Sequence, residues 1–235
     1  MHKIDLSPAV MDRVKAWRGR THMFDRPDPA RTAHLIVDLQ NGFMEQGATV
    51  EIPEAREIVT NVNRISAAVR GAGGLNIFIR YLIDDATLIN WSSWFTDFAT
   101  PARREAMEAT FRKGCHGFEL WPGLEVKAAD LIVDKTRFGA FVPGSSDLHE
   151  MLMARGIDTL IITGTATNVC CESTARDAMQ MNYKVIFIAD GNATNTDAEH
   201  NATLNNMAAL FADVMTTQEL IGFLASSAAP REAAE

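Results

Sequence analysis

Thr159-Leu-Ile-Ile-Thr-Gly-Thr-Ala-Thr-Asn-Val-Cys-Cys-Glu-Ser-Thr-Ala-Arg-Asp-Ala-Met-Gln-Met181 decides the fold of this chain. Residues Thr159–Thr163 are apolar or β-branched, as in a strand buried on both faces. Gly164-Thr-Ala is a turn of small residues. Thr167 or Asn168 is a good N-cap, which predicts a helix over Asn168–Met181. The unit is therefore a strand, a tight turn and a helix.

Working outward, the same unit recurs. Short apolar runs at His34–Leu39, Leu75–Tyr81, Asp130–Asp134, Lys184–Ala189 and, more weakly, Asp213–Thr216 read as further strands. Between them lie helical patterns: Pro53–Ala72, with Ile58, Val62, Ile65 and Val69 three or four apart, then Pro101–Phe111, Asp147–Ala154, Thr196–Phe211 and Thr217–Leu224. Strand–helix alternation predicts an α/β fold of three layers, α/β/α, around a doubly wound, mainly parallel six-stranded sheet. Residues 1–30 read as an N-terminal arm with a short helix over Val10–Trp17, interrupted by Pro27 and Pro29. Residues 31–225 read as one domain and residues 226–235 as a C-terminal tail. Leu82–Thr100, rich in aromatics, reads as a lid or pocket wall.

Composition narrows the function. The 235 residues carry 22 Lys+Arg against 30 Asp+Glu, a net charge of −8, so a general nucleic-acid binder is excluded. A hydrophobic content of 47% excludes a disordered chain. The 3 cysteines, Cys115, Cys170 and Cys171, are odd in number and two are adjacent, which argues against a disulfide framework and for a reducing compartment. No export signal and no membrane-length apolar run is present, so a cytoplasmic protein is expected.

In open parallel sheets, ligands bind beyond the carboxyl ends of the strands. Asp38, Lys135 and Cys170 each follow a different strand there. Each has a plain structural alternative: a cap, a solvated lysine, a core thiol. Together they supply a nucleophile, an acid/base and an electrostatic partner. Cys170 sits in the first turn of a helix, where unpaired N–H groups and the helix dipole are expected to lower a thiol pKa. Cys171, on the face of Ala175 and Ala178, reads as packing. Cys115 reads as a loop thiol.

Three stretches resemble the isochorismatase-like cysteine hydrolases: Leu35-Ile-Val-Asp38-Leu-Gln-Asn41, Asp134-Lys135-Thr-Arg-Phe138-Gly-Ala-Phe141, and Gly164 through Ala178. The likeness spans roughly Arg31 to Leu220. It implies an isochorismatase-like, Rossmann-like sheet and a triad of Asp38, Lys135 and Cys170. It also implies an oxyanion hole from the N–H groups of Ala166 and Cys170, and a cis peptide at Thr165–Ala166. Phe43, Arg80, Tyr81, Trp91, Trp94 and Phe138 form the expected substrate-binding set. Arg80 is read equally as a carboxylate binder and as an ion-pair partner. The segment after the second strand, Arg80 to Trp91, holds no histidine, so no metal and no cofactor are expected and a nicotinamidase becomes a weaker alternative. A cysteine nucleophile points to a small amide, carbamoyl or ureido substrate, and the resemblance to a homo-oligomer, dimer or tetramer. A nucleotide- or flavin-binding module would need a glycine-rich loop after the first strand. Asp38 to Phe43 is not one, and the Gly71–Gly74 cluster precedes a strand. A non-catalytic structural or binding subunit is the remaining alternative.

Overall fold

A computed structural model describes residues 1–227; the tail read over 226–235 lies outside the described residues from 228 on. Six strands, β1 (Thr32–Val37), β2 (Leu75–Tyr81), β3 (Leu131–Lys135), β4 (Thr159–Thr165), β5 (Lys184–Ala193) and β6 (Asp213–Met215), form one sheet in the order β3-β2-β1-β4-β5-β6. Every pairing is parallel. The helices are α1 (Pro8–Arg18), α2 (Asn41–Met44), α3 (Val59–Ala72), α4 (Asp85–Asn90), α5 (Pro101–Phe111), α6 (Leu148–Ala154), α7 (Glu172–Gln180), α8 (Asp197–Asn206) and α9 (Thr217–Ser227).

Strand period two sorts the core into layers. Leu35, Val37, Ile77, Ile79, Leu160 and Ile162 face α6, α7 and α8. Ile36 and Phe78 face Val62 of α3, and Ile161 and Ile186 pack with Ile65 of α3 and Leu220 of α9. Because strands leave β1 and β4 in opposite directions, their carboxyl ends flank the crevice where such sheets bind ligands.

Three elements differ from expectation. The predicted helix Pro53–Ala72 is split into a 3₁₀ turn, Pro53–Arg56, and α3. Three residues per turn bring Ile52, Ala55 and Ile58 onto one buried side. β5 continues four residues past Ala189, because the pairing slips between Ile162 and Gly164. Asn192 fills the gap by donating to the Ile162 and Ile188 carbonyls, so Asp190-Gly-Asn remains strand. The helix predicted over Asn168–Met181 opens with a wide π-helical turn, Thr167–Cys171. Leu82–Thr100 is largely helical: Asp84 caps α4, and a π-helical segment Ser93–Phe98 follows. The residues read as an arm lie against the rest of the chain. Val14 of α1 is buried, and Asp213 accepts the backbone N–H groups of Met23 and Phe24 at 2.7 and 2.9 Å.

Candidate active site

Asp38 leaves β1 with φ of 54°, in the left-handed region, donating its N–H to Ile79 O at 2.9 Å. Opposite it, Gly164 of β4 has φ of 128°, and a Cβ there would lie 2.1 Å from Val37 O. Only glycine permits that approach, and it brings the Cys170 turn up to the end of β1. The Thr165–Ala166 peptide that follows is cis. Gln40 ties the neighbouring strand end into the same frame. Its Nε2 donates to Tyr81 O and Phe118 O at 3.1 and 2.8 Å, and its Oε1 accepts from Tyr81 N at 2.6 Å. Gln40 stands in the first of the resembling stretches, but the sequence assigns it no role there; the meeting of three segments reveals the clamp.

Lys135, at the end of β3, is fully buried and reaches across β2, its Nζ 5.0 Å from the centre of the Tyr81 ring, to Asp38 Oδ2 at 2.8 Å. It also donates to Arg137 O at 3.0 Å. The contact with Asp38 is close but poorly aligned, so it is an ion pair in which neither carboxylate oxygen receives a well-directed hydrogen bond. The oxygens therefore stay open to another donor, and the Cys170 thiol is near enough for the charges of Asp38 and Lys135 both to act on it.

The electrostatics differ from the sequence expectation. Burial, then the Asp38 charge, pushes the Cys170 thiol above the usual range, and Lys135 only partly opposes them. The helix terminus does not win, because the thiol is buried beside an anion. Burial also raises the Asp38 carboxyl, against the pull of Lys135. For Lys135 burial works against the charge, yet the Asp38 and Cys170 anions outweigh it and hold the ammonium above its ordinary value. The resting arrangement is thus an ammonium, a carboxyl of raised basicity and a neutral thiol.

Above the thiol opens a cavity of about 500 Å³ lined by Cys170, Ala166, Val169, Phe43, Tyr81, Trp94 and Phe138, among others. Asp38 and Lys135 lie beneath it, fully buried. Of the expected substrate-binding set, Phe43, Tyr81, Trp94 and Phe138 therefore line the cavity. Trp91 stands one layer back, edge-on to Phe138 at 4.8 Å. Arg80 does not line it. Its Nε donates to Asp134, its register partner on β3, at 2.8 Å, and its guanidinium lies 4.2 Å from the centre of the Phe118 ring. The ion-pair reading describes where it sits. The Tyr81 hydroxyl and Trp94 Nε1 are buried without a hydrogen-bond partner among the described residues. Sequence reasoning missed the wall formed by Ala48–Ile52 and the two α5 residues Arg103 and Met107. They carry no motif and reach the site only through packing. Cys171 is buried in the core, and Cys115 is a partly exposed free thiol. Among the described residues no group of three His, Cys, Asp or Glu side chains is placed to hold a metal ion.

Residues 32–219 match the family model of the isochorismatase domain. The chain is 31% identical over 222 residues to the ureidoacrylate amidohydrolase RutB of Variovorax paradoxus, with 87% of each chain covered. It is 32% identical over 195 residues to YwoC, an isochorismatase family protein of Bacillus subtilis, covering 83% of this chain and 94% of that one. A cysteine hydrolase of Pseudomonas syringae superposes with a TM-score of 0.75 at 27% identity, over 88% of this chain and 98% of that structure.

Proposed function

This chain belongs to the isochorismatase family, and we propose that it is a cofactor-independent cysteine amidohydrolase cleaving a C–N bond of a small amide, carbamoyl or ureido compound. The observation that carries the reading is Cys170 at the floor of the cavity, directly above the buried Lys135–Asp38 pair. The similarity to RutB, which is named for ureidoacrylate, supports the ureido class.

In this reading the Cys170 thiol gives its proton to Asp38 as Sγ attacks the substrate carbonyl carbon. The N–H groups of Ala166 and Cys170 hold the resulting oxyanion. Asp38 returns the proton to the leaving nitrogen, the C–N bond breaks, and a thioester on Cys170 remains. Asp38 then takes a proton from water, the hydroxyl adds to the thioester, the C–S bond breaks, and the thiol regains its proton. Lys135 offsets the negative charge throughout. A thiol held neutral until substrate arrives suits this order, because Asp38, its pKa raised, is the better base. Phe43, Tyr81, Trp94 and Phe138 favour a substrate with a flat or apolar body. The Tyr81 and Trp94 donors are free for its acceptor atoms, and Arg103 is a cation for a terminal carboxylate.

Ammonia release measured over ureido acids, N-carbamoyl amino acids, nicotinamide and simple aryl amides tests the reading. Turnover of at least one ureido or carbamoyl compound is expected. Turnover of nicotinamide alone would favour the nicotinamidase alternative, and no turnover of any would overturn the reading. A homo-oligomer is part of the same proposal: Phe98, Ile89 and Trp17 are exposed apolar side chains that an assembly would cover. Sedimentation of the full chain as a monomer would refute it.

A further inference from the structure

Residues 1–7 precede the matched family domain, which begins at residue 32, yet they run along α8 in register with it. The N–H groups of Lys3, Asp5 and Ser7 donate to the side chains of Asp197, Asn201 and Asn205 at 3.3, 2.7 and 2.8 Å. Four residues of helix advance about 6 Å and two of extended chain about 6.6 Å, so every second residue of the segment meets the next helical turn. At the head of this strap His2 is buried. Its Nδ1 donates to Asp197 Oδ1 at 2.8 Å, and its Nε2 lies 3.1 Å from both the N–H and the carbonyl oxygen of Thr194.

Two connections run from His2 to the turn that carries Cys170. The first is a stack: the His2 and His200 rings lie 4.4 Å apart at 17°. His200 Nε2 donates to Ala189 O at 3.0 Å, so its Nδ1 accepts from Thr167 Oγ1 at 2.9 Å. Burial and the neighbouring His2 hold His200 down to about 4, which keeps that acceptor unprotonated at neutral pH. In the second, Thr194, held by His2, donates its Oγ1–H to Asn168 Oδ1 at 2.7 Å. Thr167 and Asn168 stand between Ala166 and Cys170, and none of His2, Thr194 and His200 lines the cavity.

We propose that the N-terminal strap, through His2, positions the oxyanion turn: it holds His200 on Thr167 and Thr194 on Asn168, so that the Ala166 and Cys170 N–H groups keep their aim as charge develops on the substrate oxygen. His2, His200 and Thr194 are positioning residues. The proposal rests on the reading of Cys170 as the nucleophile.

Two reactions of one thiol separate positioning from general damage. p-Nitrophenyl acetate acylates Cys170 through a tetrahedral oxyanion: the C–S bond forms, the thiol proton passes to Asp38, and p-nitrophenolate leaves. Iodoacetamide alkylates the same sulfur by displacing iodide, with no oxyanion. Both rates are measured at Cys170 itself, by mass spectrometry of its peptide so that the partly exposed Cys115 does not enter, on the full chain at one alkaline pH. His2→Ala and Thr194→Val are expected to slow acylation roughly 5- to 50-fold and to leave alkylation within about twofold, with Thr194→Ser restoring acylation. Unchanged acylation in both variants overturns the proposal, as does an equal fall in both rates, which would mean damage to the whole site. A wild-type chain whose Cys170 reacts with neither reagent overturns the nucleophile reading itself, a result distinct from either.

Discussion

Asp38 does two opposed things to Cys170: its charge raises the thiol pKa, and its carboxylate is the only base against the thiol in the proposed mechanism. Asp38→Asn separates them. With the anion gone and Lys135 still present, the thiol ionises more readily, so iodoacetamide should alkylate Cys170 faster near neutral pH than in the wild type. Hydrolysis should nevertheless fall by about 10²- to 10⁴-fold, because no group remains to take and return the proton. Slower alkylation would contradict the electrostatic account, and unchanged hydrolysis the assignment of Asp38. The variant also leaves a buried ammonium unpaired, so a lower urea midpoint should accompany it. The same residue marks a limit of sequence reading. A first-turn cysteine suggests a lowered pKa, but a linear pattern carries no measure of burial, and burial beside an anion reverses the sign.

At the scale of elements, the strand-to-helix unit around Gly164 sets the site. A Cβ at this position would meet Val37 O at 2.1 Å in a backbone conformation that side chains avoid. Gly164→Ala should therefore destabilise the chain by at least about 3 kcal/mol or prevent its folding, which urea unfolding would show; a stable, active variant would contradict the close approach of β1 and β4. The alternation of apolar runs and helical spacing made the parallel six-stranded sheet legible, and the strand-end positions of Asp38, Lys135 and Cys170 made it legible that the three meet at one rim of the sheet. What stayed hidden depends on tertiary contact. The bulged extension of β5 is held by Asn192 reaching two carbonyls. The Gln40 clamp joins three segments. The cavity wall at Ala48–Ile52 is brought in by the packing of Ile52 and Ala55. Arg80 shows the ambiguity directly: a strand-end arginine reads equally as a carboxylate binder and as an ion-pair partner until its neighbour on β3, Asp134, is seen in register with it.

For the whole molecule, two buried histidines couple the fold to pH. His34, within β1, is held down to about 3, and His200 to about 4, chiefly by burial. Both folded values lie below the unfolded value near 6.5, so the unfolded chain binds the extra protons. Stability is then full above about pH 6.5 and falls as pH drops toward the folded values. At about pH 4.5 each should cost about 2.5 kcal/mol. Urea unfolding between pH 7 and about 4.5 should show this slope, and a flat profile would contradict the burial of both rings. The sheet, the cavity and the N-terminal strap all converge on one sulfur, the proposed nucleophile. Ammonia release by Cys170→Ala, assayed beside the wild type and with its fold verified by circular dichroism, decides whether that sulfur acts. A loss of at least about a thousandfold in a fully folded protein is expected. Turnover within about tenfold of the wild type would contradict it.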